Sequence, residues 1–152
     1  MRTFIVAALV LAPALAAPFA AQAQTPAAAP MERTPSPPGA EVYIIAPKDG
    51  ARVKTPVLVQ FGLNAKMGIA PAGVKFENTG HHHLLIDTDA PASMGAPLPA
   101  TDNIKHFGKG QTETSLTLTP GKHTLQLLLG DQNHIPHDPA VISKKITITV
   151  EK

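Results

Sequence analysis

The stretch Asn78 to Pro91, NTGHHHLLIDTDAP, sets three adjacent histidines at the start of an apolar run. Neutral imidazole suits zinc, copper, nickel and iron, whereas calcium and magnesium demand oxygen ligands. Successive residues of a strand point to opposite faces, so the three rings divide between two tasks. His82 shares a face with Leu84 and Ile86, the side suited to a core, and reads as a structural histidine. His81 and His83 share the other face with Leu85 and Asp87. They stand about 7 Å apart along the strand, and such an H-x-H pair offers two outward-pointing imidazoles to one ion.

A second cluster lies in GDQNHIPHDP, where His134 and His137 flank Ile135-Pro136 in a loop after an apolar strand. Proline stiffens that loop, so two rings can converge without much loss of chain entropy. His106, in KHFGKGQTE beside a glycine-rich turn, is a fifth candidate. The candidate metal ligands are therefore His81, His83, His134, His137 and His106, and the expected ion is copper or zinc. Asp87, Asp89, Asp131 and Asp138 are close enough in sequence to ligate the ion or to orient these rings. The bland reading stands beside this one, since histidines near strand ends often bond backbone carbonyls. It fits His82 and His123 best, because both fall on expected core faces. Met67 and Met94 lie in long loops, where a thioether either packs down or serves as a soft ligand for Cu(I).

Other chemistries find less support. The serines include no G-x-S-x-G elbow, and the chain has no H-E-x-x-H, P-loop or dinucleotide fingerprint. With no cysteine, disulfides, thiolate ligands, thiol nucleophiles and a cysteine-linked lipid are excluded.

The elements that must position the histidines show period-two alternation. EVYIIAP aligns Val42, Ile44 and Ala46; VLVQFGL aligns Val57, Val59, Phe61 and Leu63; TSLTLTPG aligns Leu116 and Leu118. HTLQLLLG aligns His123, Leu125, Leu127 and Leu129, and KITITVEK aligns Ile146, Ile148 and Val150. Alternation, β-branched enrichment and Gly/Pro punctuation predict six or seven short strands and no helix. The expected fold is all-β, a single small antiparallel β-sandwich of immunoglobulin-like type over residues 41–152. Two long connections, 64–80 and 88–105, interrupt it, and loops of that length in a small sandwich commonly carry function.

Ahead of this domain, Arg2, an apolar run from Phe4 to Leu11 and Ala21-Gln22-Ala23 form the three parts of a signal peptide, residues 1–23. Residues 24–40, QTPAAAPMERTPSPPGA, offer too little apolar surface to offset ordering and read as a disordered linker. The expected location is periplasmic, with no membrane span after cleavage. Losing Arg2 takes the formal charge from +2 to +1. The basic residues are scattered and not interleaved with aromatics, so no nucleic-acid partner is expected.

APAGVKFENTGHHHLLID, HFGKGQTETSLTLTPGKHTLQLLLGDQNHIPH and the closing KITITV resemble the bacterial family of domain of unknown function DUF4399. The resemblance runs from Val42 to Val150. It implies a small exported β-domain and supplies no activity. The leading expectation is a periplasmic histidine-rich protein that stores, delivers or buffers copper or zinc, in contact with a periplasmic protein partner. The alternatives are a non-catalytic cell-envelope module recognising a protein or glycan, and a metal-dependent enzyme with water in an open coordination position.

Overall fold

The computed structural model describes residues 31–152. The expected signal peptide, residues 1–23, and the first part of the expected linker lie outside them. Nine strands form: β1 (Val42–Ala46), β2 (Arg52–Lys54), β3 (Val57–Leu63), β4 (Gly68–Ile69), β5 (Thr79–Ile86), β6 (Ile104–His106), β7 (Glu113–Leu116), β8 (Gly121–Gly130) and β9 (Ile146–Glu151). There is no helix among the described residues, and the all-β expectation holds.

The strands make two sheets, β1-β3-β7 and β2-β9-β8-β5-β4, with β6 added alongside β5. Most pairings are antiparallel, but β2 runs parallel to β9 and β4 parallel to β5, so the second sheet is mixed. The architecture is consistent with an immunoglobulin-like sandwich. Between the sheets, Val57, Val59 and Phe61 of β3 meet Leu84 and Ile86 of β5 and Leu125, Leu127 and Leu129 of β8. These are the positions that alternation selects, because one buried face of a strand collects every second residue.

Strand β5 departs from that simple pattern. Its outer face is covered as well, by a second apolar cluster of Leu85, Leu98, Ile104 and Leu128, with Met94, Ala90 and Ile142 packed against it. The 88–105 connection therefore lies down on the sheet, and every residue of β5 from Gly80 to Ile86 is buried. His82 does face the inter-sheet core, its ring 5.1 Å from that of Phe61. His81 and His83 occupy the opposite face as alternation requires, yet they are 0% and 1% exposed. The expectation that they project into solvent is corrected: a second layer of loop side chains sits above them. The methionines pack too. Met67 is buried in the inter-sheet core and Met94 leans on the outer cluster, so neither is placed as a copper ligand.

The N-terminal segment also differs from the composition-based reading. Residues 33–36 run beside residues 136–138 with a parallel bridge between Pro35 and Asp138. The Ser36 amide donates to Asp138 O at 2.9 Å, and the Asp138 amide donates to Thr34 O at 2.9 Å. This docking rests on backbone and polar side-chain bonds rather than apolar burial, which is why composition did not disclose it.

Candidate metal centre

Four imidazoles converge at one end of β5. His81 and His83 share a face of the strand, and the register sets His106 of β6 directly across from His83. Directly opposed residues on neighbouring strands have adjacent side chains on the same face, so the sheet itself assembles three rings. The fourth comes from the 131–137 loop, where His134 takes a left-handed backbone conformation at φ 66°. That region is uncommon for a residue with a side chain and clusters at functional sites.

All four residues offer a ring nitrogen, and these nitrogens lie within 4.8 Å of one another. Every pair of rings is in contact, from 4.5 Å between the centroids of His106 and His134 to 5.9 Å for His83 and His134. Zn–N bonds of 2.0–2.1 Å imply nitrogens about 3.3 Å apart in a tetrahedron. Side-chain rotations that move each ring by less than about 1 Å close that difference.

Glycines make the space. His81 pairs across the sheet with Gly130, and a Cβ at Gly130 would stand 2.7 Å from His83 Cε1 and 3.1 Å from His83 Nδ1. A Cβ at Gly108 would meet His106 Cε1 at 2.3 Å. All three distances are below ordinary contact, so Gly130 and Gly108 leave the space that the His83 and His106 rings fill.

The polarity of the site is unusual for a protein interior. Among the described residues, neither ring nitrogen of His83 has a hydrogen-bond partner, and the same holds for His81 Nδ1. Within the cluster, His81 Nε2 meets His134 Nδ1 at 3.1 Å. Buried donors and acceptors left unpaired cost about 1–3 kcal/mol each, and such groups are rare in native folds. A cation held by the lone pairs of these rings satisfies one nitrogen of each. The donor set is all nitrogen, with two rings buried and two, His106 and His134, at the solvent side. It fits a borderline transition metal and not calcium or magnesium.

Burial lowers the pKa of His83 to about 3, with the neighbouring His81, His106 and His134 rings adding to the effect. His81 is lowered to about 4, again chiefly by burial and then by His106 and His134. Burial lowers His106 as well, with His134 contributing. These shifts favour neutral rings at His81, His83 and His106, the protonation state in which imidazole ligates. On the core side, burial lowers His82 to about 4, opposed by its contact with the Gln111 carbonyl.

A stability prediction follows from these directions. In the unfolded chain these histidines titrate near 6.5, so below that pH the unfolded state binds more protons than the folded one. Stability of the metal-free domain is then complete above about pH 6.5 and falls as pH drops toward 4. Thermal denaturation at pH 7.5, 5.5 and 4.5 in the presence of chelator should show a midpoint that decreases at each step. A constant midpoint over that range would show that His81, His82 and His83 are not buried as neutral rings.

The remaining expected residues are placed elsewhere. His137 is fully buried but outside the cluster, with Nε2 3.1 Å from Thr79 O and its ring against the space kept open by Gly80. Burial lowers its pKa, opposed by backbone contacts with Leu129 and Thr79. The loop turns its two histidines to different places, His134 into the cluster and His137 toward Thr79 O.

His123 lies at the rim rather than inside the core. It contacts Asp87 Oδ2 at 2.7 Å and Thr119 O at 2.8 Å. Burial acts to lower its pKa, but the Asp87 carboxylate and the Thr119 carbonyl outweigh that and raise it.

None of the four aspartates hydrogen-bonds a cluster ring. Asp87 engages His123, Asp89 pairs with Lys145, and Asp138 pairs with Arg33. Asp131, 1% exposed, organises the loop backbone instead. Its Oδ1 accepts from the Asn133 amide at 2.8 Å and the Ile135 amide at 3.0 Å. Its carbonyl accepts from the His134 amide at 2.9 Å.

The match that decides the family covers residues 59–151, from β3 through β9, and so includes all four clustered histidines. The chain belongs to the domain of unknown function family DUF4399. Comparison with curated proteins and with solved structures finds no match. The DUF4399 domain therefore takes its functional reading from its own side chains.

Proposed function

We propose that this DUF4399 domain binds one copper or zinc ion through His81, His83, His106 and His134, and that the protein stores, delivers or buffers that metal in the periplasm. The observation that carries the reading is the convergence of four ring nitrogens within 4.8 Å, two of the rings being buried with unpartnered nitrogens. The signal-peptide pattern of residues 1–23 supports export. Copper(II) is favoured over zinc by the affinity order for nitrogen ligands. With Met67 and Met94 packed in apolar clusters, the site has no soft thioether that would select Cu(I).

Calorimetry on the mature chain, purified without a histidine tag, tests the proposal. One equivalent of copper(II) or zinc should bind at neutral pH, and calcium and magnesium should not. Absence of stoichiometric binding would defeat it, leaving a cell-envelope binding module as the reading to pursue.

A further inference from the structure

The segment at 33–36 lies outside the region matched to the family, yet it grips the loop that carries His134. Its contacts fall on that loop at three points. The Thr34 hydroxyl donates to Asp131 Oδ2 at 2.6 Å, on the same buried carboxylate whose other oxygen holds the Asn133 and Ile135 amides. Arg33 Nε donates to Pro136 O at 3.0 Å, a second guanidinium nitrogen donates to His137 O, and a third pairs with Asp138 at 3.1 Å. Beyond these, the backbones of Thr34 and Ser36 bond to Asp138.

His134 has an uncommon conformation to maintain, at φ 66°. An isolated loop does not keep such a residue in place unless its surroundings over-determine it. Asp131 provides the local part by bonding amides on both sides of His134. Because Asp131 is buried, its second oxygen also needs a donor, and Thr34 supplies it from the N-terminal segment. The other three rings stand on paired strands and need no such brace.

We infer that residues 33–36 form a strap, with Thr34 as a positioning residue that acts through Asp131 to hold His134 toward the metal. This rests on the proposed metal site and adds that part of its affinity comes from chain N-terminal to the family region. Groups that orient a metal ligand from outside the coordination shell typically change affinity by about 10–100-fold.

The test is a double-mutant cycle on the mature chain, with copper(II) affinity measured by competition and nitrogen hyperfine coupling by electron paramagnetic resonance. Thr34→Val keeps the shape and removes the donor, and Thr34→Ser restores the hydroxyl. Thr34→Val is expected to weaken binding by about 10-fold and to alter the nitrogen coupling pattern, while Thr34→Ser restores both. In a His134→Ala background, Thr34→Val should cause no further loss, because its effect runs through that ring. Wild-type affinity and spectrum in Thr34→Val would overturn the strap and leave the metal site standing. Losses that add fully in the double variant would also overturn it, since Thr34 would then act on general stability. A wild-type protein that binds no copper would remove both proposals together.

Discussion

Replacing His83 by alanine is expected to weaken metal binding by about 100-fold or more, while replacing His137 leaves affinity unchanged and lowers stability. Tetrahedral structural sites bind zinc with about 10–16 kcal/mol, so one of four ligands accounts for roughly 3 kcal/mol, which is about 100-fold. His83 is the most deeply committed of the four, with both ring nitrogens buried and unpartnered. Removing it also removes an internal polar group without a mate, so the metal-free variant should melt no lower than wild type by more than the cavity costs. His137 differs in that only Nδ1 is unpartnered, Nε2 being bonded. Its ring contacts Thr79 O and fills space beside Gly80, so His137→Ala leaves a cavity and an unpaired carbonyl. Parallel titrations and melts of the two variants read out the contrast. Equal loss of affinity in both would mean that the ligand set extends to His137.

Gly130→Ala carries the second large effect. The added Cβ would stand 2.7 Å from His83 Cε1 and 3.3 Å from the His134 carbonyl carbon. His83 is buried and the His134 atom belongs to the backbone, so neither yields easily. Overpacking of this kind costs about 1–3 kcal/mol, and it displaces a ligand ring at the same time. Both the melting midpoint and the metal affinity should fall. Gly108→Ala provides the contrast, because its Cβ would meet His106, whose ring is at the solvent side and can swing away. That variant should keep most of its stability and lose affinity. If Gly130→Ala binds metal as wild type does, the His83 ring is not where the site requires it.

Much of this was legible in the sequence. Strands β3 and β9 alternate in burial along most of their length, and the face assignment of His81, His82 and His83 follows from the geometry of a strand alone. The short strands β2, β4 and β6 were not legible, because two or three residues cannot display a period of two. With β6 unseen, nothing in the sequence indicated that His106 sits across from His83, although the nearby Gly108 was a visible signal of a close approach. Burial of His81 and His83 was hidden as well. The rings packed against them are His106 of the short β6 and His134 of a non-periodic loop. Within the loop, sequence spacing could not decide between His134 and His137. The direction of each ring follows from the hydrogen bonds of Asp131 and the left-handed turn at His134, and neither has a periodic trace. The strap at 33–36 escaped for a related reason: proline- and alanine-rich composition reports missing apolar surface, not the backbone bonds that hold the segment.

The central claim is that a single ion is coordinated by four imidazoles. X-ray absorption spectroscopy on the zinc-loaded mature protein, prepared without a histidine tag, addresses it most directly. The predicted result is a first shell of four nitrogens at about 2.0–2.1 Å, with the outer-shell scattering of imidazole rings, and loss of one nitrogen scatterer in His106→Ala. A first shell dominated by oxygen, or a shell unchanged when His81 and His83 are both replaced by alanine, would contradict the account.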